Sequence, residues 1–330
     1  MNLLIASAGR RCELVKFFRT ELNPFFHKII ALDINEFAPG LYFADKHYVI
    51  KKDFDNPSEY IKDILRICLD ENVGHILSLV DPELVLFAEN RSLFMENGIT
   101  PVLSSDEAIQ NTFDKYSFYE AYKGLVSVLD TCDSKEDAVE AVKSGRLQLP
   151  VIAKPRCGSG SAGITTLHYT NEFDTLKYNS SHNYIFQRKL DCREFGVDAY
   201  FDMISGEMVS VFMKEKIALR SGETDKAVSV FREDIYDEIV KLEKTGWFRG
   251  PVDLDVFLTA DGKIYINEIN PRFGGGYPMG HNCGVNFMKL LFNNMKGIQN
   301  TRQPNDYKLN VKMMKYNHIL FVDGGHIYND

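Results

Sequence analysis

Residues 250–272 read GPVDLDVFLTADGKIYINEINPR, a pattern typical of a β-hairpin. Apolar and polar residues alternate on both sides of Asp261-Gly262, and this dipeptide between two alternating stretches is a strong hairpin signal. A two-residue turn there would fix which residues of the two strands face each other. Counting outwards from the turn predicts three facing pairs: Ala260 with Lys263, Asp255 with Glu268, and Asp253 with Asn270.

The facing acids Asp255 and Glu268 indicate a cation site. Directly opposed side chains have Cβ atoms about 4.5–5.5 Å apart, and like charges at that separation destabilise a sheet. Mg²⁺ fits, because it takes carboxylate and amide oxygens and keeps positions for water and nucleotide phosphates. The alternative is an exposed polar face with solvated acids. Arg272, just past the strand, could clamp a transferring phosphoryl group or be a surface arginine.

A glycine-rich run, GSGSAG at 158–163, follows an apolar strand predicted at 149–154. It matches GxGxxG by letter, but ITTLH at 164–168 favours a strand where a dinucleotide fold needs a helix. A Walker A loop requires Lys-Ser/Thr at that point, and the chain has no HRD or DFG sequence of a protein kinase. What remains is a flap over phosphates or an ordinary mobile turn. Lys154, at the strand end, favours the flap because its charge suits phosphate.

The N-terminal part alternates between strands and helices. Its apolar runs predict strands at 2–6, 29–34 and 75–80 and helices at 12–21 and 58–71. Such alternation predicts a parallel sheet covered by helices. Asp33, at a strand end, is either a solvated loop acid or a ligand contact at the sheet edge. Later elements are predicted as a helix at 285–296 and as core-completing strands at 309–315 and 319–322.

The run KEKIALRSGETDK, at 214–226, is dense in basic residues. It suits a loop that grips an anionic substrate or the γ-phosphate, with Arg220 as the first candidate, and a solvated charged loop is the alternative. Among the histidines, His281 is placed to face a substrate, although a structural role suits it better.

Composition limits the functional class. A chain of 330 residues is more than one compact domain needs, so two or three domains are expected. The net charge of −8 and the lack of a long Lys/Arg run argue against nucleic-acid or anionic-lipid partners. The apolar stretch at 1–8 is too short for a signal or a membrane span, and the six scattered cysteines include no CxxC pair. We therefore expect a cytoplasmic protein with no membrane partner.

The ordered set of these motifs resembles the ATP-grasp superfamily, in particular the branch similar to the carbamoyl-phosphate synthase large subunit. The resemblance covers nearly the whole chain. The motifs that carry it are Lys115, 151–163, 187–194, Asp255, EINPRFGGGYP at 268–278, SGET at 221–224 and DPEL at 81–84.

The resemblance implies a role for each matched residue. Lys115 and Lys154 would contact the ATP phosphates, and the lid over them would be formed by Gly158, Ser159, Gly160, Ser161 and Gly163. The hinge strand whose backbone contacts adenine would be formed by Gln187, Arg188, Lys189 and Leu190. Glu194 would accept hydrogen bonds from the ribose hydroxyls. One or two Mg²⁺, or Mn²⁺, would be held by Asp255, Glu268 and Asn270. The catalytic candidates are Arg272, Arg220 and Lys214. Arg188 departs from the family, which often has an acid at that hinge position.

The implied fold is the α/β ATP-grasp fold in three parts. These are a Rossmann-like (pre-ATP-grasp) parallel-sheet domain at 1–112, a small α+β lid subdomain at 113–195 and a mixed α/β domain with the metal hairpin at 196–330. The implied activity is that of a ligase that phosphorylates a small-molecule carboxylate and joins it to an amine or ammonia, and a homodimer is one expected assembly. The alternatives are a carbamoyl-phosphate-synthase-like kinase that releases a phosphorylated product, and a catalytically silent ATP-binding module.

Overall fold

The computed structural model of the protein describes residues 1–22, 25–52, 56–158, 163–176, 184–220 and 222–328. Three main sheets organise these residues: a parallel one near the N-terminus, a four-stranded antiparallel one in the middle and a six-stranded antiparallel one in the C-terminal half. The mixed α/β architecture predicted from the sequence is confirmed.

The parallel sheet has five strands in the order β3-β2-β1-β4-β5, and all residues of its central strand, β1, are buried. Its strands are β1 (Asn2–Ala6), β2 (Ile29–Asp33), β3 (Lys46–Val49), β4 (Val73–Ser78) and β5 (Thr100–Pro101). Its helices are α1 (Cys12–Leu22), α2 (Pro57–Asp70), α3 (Asp81–Glu89) and α4 (Arg91–Glu96), and Pro39–Phe43 forms a 3₁₀ helix. The strand order reverses direction between β1 and β4, so the turns that follow these two strands lie at the edge where such sheets bind ligands.

The turn after β1 is fixed by Asp33, at the end of β2. One oxygen of its carboxylate accepts the N–H of Gly9 at 2.8 Å, and the other accepts the N–H of Ile34 at 2.8 Å. Asp33 is therefore not a merely solvated acid, which was one of the two sequence interpretations. It holds together two neighbouring loops at the carboxyl edge of the sheet.

The middle part contains the small antiparallel sheet, in the order β6-β9-β7-β8. Its elements are α5 (Asp106–Phe113), α6 (Lys115–Tyr122), β6 (Thr131–Cys132), α7 (Lys135–Lys143), β7 (Val151–Pro155), β8 (Thr165–Leu167), a 3₁₀ helix at Thr170–Thr175, and β9 (Tyr184–Arg188). The antiparallel pairing of β7 with β8 confirms the predicted strands on both sides of the glycine-rich run, of which residues 159–162 lie outside the described residues.

The long antiparallel sheet has the order β14-β13-β10-β11-β12-β15. Its strands are β10 (Cys192–Phe201), β11 (Met208–Arg220), β12 (Glu223–Val230), β13 (Gly250–Thr259), β14 (Ile264–Asn270) and β15 (Lys312–Met314). The helices are α8 (Glu233–Ile239), a 3₁₀ helix at Val240–Thr245, α9 (Tyr277–Cys283) and α10 (Phe287–Met295). One face of the sheet and α1 of the N-terminal part share a core, in which Phe18 meets Phe273 edge to face at 5.5 Å.

Two sequence expectations are wrong. The basic run at 214–226 lies in the paired strands β11 and β12 and does not form the expected loop, because its alternating residues face two sides of a sheet. The expected core strand at 319–322 is absent, since Ile319 is 68% exposed and the chain there forms only a two-stranded ribbon of β16 (Val322–Asp323) and β17 (His326–Ile327). The strand expected at 309–315 is present in shorter form as β15.

Candidate active site

The β13–β14 hairpin forms the floor of the site and pairs Asp255 with Glu268 and Asp253 with Asn270, as predicted. The turn itself is different: Gly262 has φ +83° and its N–H donates to Thr259, so the loop between Thr259 and Lys263 has three residues. The predicted facing pair of Ala260 and Lys263 is therefore wrong. A bulge at Asn267 shifts the register back by one, which is why counting from the wrong turn still gave the correct acidic pair.

The floor opens into a cleft of about 300 Å³ between the middle sheet and the long sheet. Asp255 and Glu268 both line it, and so do both lysines that the sequence singled out, Lys115 and Lys154. The other candidate residues that line it are Gly158, Gln187, Arg188, Lys189, Leu190 and Glu194. One cleft thus collects residues from segments more than 150 positions apart.

Lys154 reaches the floor from β7. Its ammonium donates to the amide oxygen of Asn267, at the bulge, at 3.2 Å. Burial lowers the pKa of Lys154 to about 8, although Glu268 and Asp255 favour its charged form. Because its hydrogen-bond partner among the described residues is a neutral amide, this buried ammonium is ready to pair with an anion that enters the cleft.

Lys115 begins α6 and approaches the cleft from the other side. Its ammonium donates to the carbonyl oxygen of Gly158 at 2.8 Å, at the start of the glycine loop. Asp114 caps the same helix and also pairs with Arg156, so the position of Lys115 relative to the loop is fixed. Gly163, at the end of the loop, has φ +74°, which favours glycine, whereas Ser159, Gly160 and Ser161 lie outside the described residues.

The hinge segment forms the inner wall of the cleft. Gln187 is buried and donates from its amide to the hydroxyl of Thr131 at 2.8 Å, so its side chain is committed to the middle sheet. Lys189 donates its N–H to the carbonyl of Pro150 at 2.9 Å. Arg188, the departure from the family pattern, has an exposed side chain. Glu194, whose pKa is raised mainly by burial, lies where β10 leaves the hinge.

Lys216 is a cleft residue that the sequence interpretation missed. It is buried on β11 and donates to Asp255 at 2.6 Å, and it lies 4.0 Å from Glu194. The signal was present, because Lys214 and Lys216 alternate on one strand face. Treating the run as a loop hid that alternation.

Lys214 and Arg220 lie elsewhere. Lys214 is buried on the same strand face as Lys216 but outside the cleft lining, next to Gly276, and it donates to Asp198 at 2.5 Å. Burial raises the pKa of Asp198 to about 6 despite that lysine. Arg220 is mainly exposed and pairs with Asp225 at 3.5 Å, away from the cleft lining. Two register shifts around Ala218 turn this end of β11 over, so Arg220 does not share the face of Lys216.

Arg272 lies at the end of the hairpin, at the seam with the N-terminal domain. It donates to Asp81, at the start of α3, at 2.9 Å and lies 3.5 Å from Asp253. Burial opposes its charge, but Asp81 and Asp253 outweigh burial and raise the pKa of Arg272. The guanidinium is thus held in one place by carboxylates from both domains, a partnership between distant segments that the sequence did not predict.

The donor set fits a hard divalent cation. Burial raises the pKa of Glu268, and the facing Asp255 raises it further, so a cation between the two carboxylates would favour their charged forms. The described residues include no cluster of three His, Cys, Asp or Glu, so an amide would have to complete the set. Asn270 is buried two residues beyond Glu268, in the next facing pair on the same side of the hairpin, although it does not line the cleft itself.

His281 has a packing role in the structure. Its ring stacks on Phe17 with 3.9 Å between centroids, and its Nε2 lies 3.8 Å from Glu21. This agrees with the structural role that the sequence favoured.

The chain belongs to the ATP-grasp family. The ATP-grasp domain model matches residues 112–276, and the model of the PylC-like N-terminal domain matches residues 3–102. The cleft lies within the first of these segments, and the seam with Asp81 and Arg272 joins the two.

Two curated relatives resemble parts of the chain. The L-arginine-specific L-amino acid ligase of Bacillus subtilis is 27% identical over 164 residues, which cover 44% of this chain and 39% of that protein. The carbamoyl phosphate synthase large chain of Clostridium perfringens is 23% identical over 232 residues, 64% of this chain and 21% of that protein. The chain therefore spans well under half the length of these relatives.

A solved structure with the same fold is the biotin carboxylase domain of Hydrogenobacter thermophilus 2-oxoglutarate carboxylase, in complex with MgADP, ADP and bicarbonate. It has a TM-score of 0.74 at 19% identity, over 94% of this chain and 73% of that chain. This likeness confirms the predicted fold class. Among the described residues, no helix has both the length and the apolar character needed to cross a membrane.

Proposed function

We propose that the protein is an ATP- and Mg²⁺-dependent ligase that phosphorylates a carboxylate and couples the acyl phosphate to an amine or ammonia. The observation that carries the proposal is the pairing of Asp255 with Glu268 on the floor of a cleft that also holds Lys154 and Lys115. Two acids and two lysines in one cleft suit a polyphosphate together with its cation. Membership in the ATP-grasp family and the activity of the Bacillus subtilis relative support the same chemistry.

The nucleotide would lie along the cleft from the hinge to the hairpin. Backbone groups of 187–190 would face the adenine, and Glu194 would accept the ribose hydroxyls. Lys154 and Lys115 would neutralise the phosphates, with the 158–163 loop as the lid that keeps water from the reacting groups. The MgADP bound to the structural relative supports this arrangement.

Asp255, Glu268 and Asn270 would hold Mg²⁺ on the floor. The ion, when bound, supplies charge neutralisation between the terminal phosphates. Lys216 would have to share or release Asp255 on metal binding, since it now donates to that carboxylate at 2.6 Å. The remaining positive charge near the transferred group would come from Arg272, which both domains hold in place.

The reaction would proceed in two displacements. A carboxylate oxygen of the acid attacks the γ-phosphorus, and the bond from that phosphorus to the bridging oxygen of ADP breaks. The amine then attacks the acyl carbon, inorganic phosphate leaves with its oxygen, and the nitrogen gives up a proton. Neither displacement needs a side-chain nucleophile, so the protein contributes position, charge and exclusion of water.

We also propose the three functional parts as 1–112, 113–195 and 196–330, with small-molecule acid and amine substrates. The change from the middle sheet to the long sheet between β9 and β10 supports a boundary near residue 190. A cytoplasmic location stays a prediction from composition.

An ADP-release screen with pairs of carboxylic acids and amines tests the proposal. ADP formation should depend on an acid and a full turnover on an amine, and hydroxylamine in place of the amine should yield a hydroxamate from the trapped acyl phosphate. Release of a stable phosphorylated product with no amine requirement would support the kinase alternative. ATP binding without ADP formation from any acid would support the silent module.

A further inference from the structure

Arg11 extends from the turn after β1 into the seam between the N-terminal domain and the bend that follows the hairpin. A Cβ added to Gly275, in that bend, would lie 2.1 Å from Nη1 of Arg11. The Arg11 side chain is 24% exposed, so it is largely enclosed and still accessible to a small ligand. Gly275 follows Arg272 by three residues, and the two guanidiniums are close enough for Arg272 to disfavour the charge of Arg11.

The base of Arg11 is held in place by backbone hydrogen bonds. Its own N–H donates to Ala8 at 2.9 Å, and the N–H of Gly40 donates to Gly9 at 2.9 Å. The Gly9 N–H is in turn tied to Asp33 at 2.8 Å. A side chain mounted on such a fixed turn loses little conformational freedom on binding a ligand.

The donors of Arg11 are largely unused. Within the described part of the chain its guanidinium makes one ion pair, 3.8 Å from Glu223, which is too long for a direct hydrogen bond. Glu223 also pairs with Lys315 at 3.1 Å and with Arg10 at 3.6 Å. Five N–H donors next to a second guanidinium form a place for an anion with two parallel acceptors.

We propose that Arg11 binds the carboxylate of the acid substrate in the seam, so that the N-terminal domain selects the acid that the ATP-grasp domain phosphorylates. This inference rests on the proposed function. The planar fork of Arg11 matches a carboxylate in two parallel hydrogen bonds. Gly275 allows the guanidinium to lie against the bend, three residues from Arg272, and a larger residue there would push it away.

Two kinds of variant separate the role of Arg11 from a general loss of structure. Arg11→Lys keeps the charge and removes the fork. Gly275→Ala keeps Arg11 but displaces it, and it adds no backbone strain because φ at Gly275 is not positive. The matched controls are Arg10→Lys, at the exposed neighbour of Arg11, and Gly124→Ala, whose Cβ would meet nothing within 4 Å.

With an acid that supports ADP formation, KM for that acid should rise about 10- to 100-fold in Arg11→Lys and Gly275→Ala, as expected for a lost charged hydrogen bond. KM for ATP and the unfolding midpoint should stay at the wild-type values, and both controls should behave as wild type. An unchanged KM for the acid in both Arg11→Lys and Gly275→Ala would overturn the inference.

A second measurement does not depend on turnover. Phenylglyoxal modifies arginines, and mass spectrometry reports Arg11 and Arg10 separately. Acetate, used as the smallest carboxylate, should slow modification of Arg11 and leave Arg10 unaffected, relative to chloride at equal ionic strength. Equal rates with acetate and chloride at Arg11 would contradict the inference. If acetate protects Arg11 but no acid gives ADP, the proposed function fails and the anion site stands.

Discussion

The ion pair between Lys216 and Asp255 predicts an unusual response to Mg²⁺. In Lys216→Met the half-buried Asp255 loses its nearest cation, which lies at 2.6 Å. Breaking a buried pair on one side typically costs about 3–5 kcal/mol, and we expect roughly 3 kcal/mol because Asp255 is 28% exposed. If Asp255 is a metal ligand, MgADP should recover most of that loss, because the ion supplies the missing charge to the same carboxylate.

The assay is urea unfolding of wild type and variants with and without MgADP. Lys214→Met is the matched control, since Lys214 lies two residues earlier on the same strand and donates to Asp198 at 2.5 Å, outside the cleft lining. It should lose comparable stability, and MgADP should stabilise it by no more than it stabilises wild type. Equal stabilisation of Lys216→Met and Lys214→Met by MgADP would refute the reasoning.

Two further predictions concern the cleft and the seam. Burial lowers the pKa of Lys154 to about 8, so the affinity for ADP should fall as the pH rises through about 8 and this lysine loses its proton. Lys154→Arg should remove this pH dependence, because arginine stays charged throughout that range. Calorimetric titration between pH 6.5 and 9.5 measures this, and a flat wild-type profile would count against a phosphate contact. Asp81→Ala should destabilise the protein by roughly 3 kcal/mol, because it leaves Arg272 with Asp253, at 3.5 Å, as its remaining carboxylate partner among the described residues. Asp106→Ala, at the exposed pair with Arg91, should cost about 1 kcal/mol or less. Similar unfolding midpoints for these two variants would show that Asp81 does not hold Arg272.

The sequence was informative wherever the chemistry lies on one continuous stretch. Alternation in residues 250–272 predicted the hairpin and the facing pair of Asp255 and Glu268. The correct pair nevertheless came from two compensating errors, a three-residue loop taken for a two-residue turn and a bulge at Asn267 that no pattern marked. Bulges change the facing side of a strand without changing its composition, and the register shifts around Ala218 likewise remove Arg220 from the face of Lys216. Lys216 itself was missed because the run at 214–226 was interpreted as a loop.

Contacts between distant segments could not be predicted from the sequence. Asp81 meets Arg272 across 191 positions, and Arg11 reaches Gly275 only because α1 packs on the C-terminal core. Neither contact leaves a local periodicity that a single sequence could show. The strand prediction at 319–322 failed for another reason. A short apolar run does not show whether a sheet edge is available to pair with it.

The central claim is that Glu268, with Asp255, holds the Mg²⁺ that joins the nucleotide to the hairpin. The most direct measurement is the affinity for ADP with and without Mg²⁺ in wild type and in Glu268→Ala, with Asp261→Asn at the exposed tip of the same hairpin as control. We predict that Mg²⁺ strengthens ADP binding in wild type and Asp261→Asn but not in Glu268→Ala, which should keep its fold and its metal-free affinity and lose ADP production. The same strengthening by Mg²⁺ in Glu268→Ala, or unchanged ADP production, would contradict the claim.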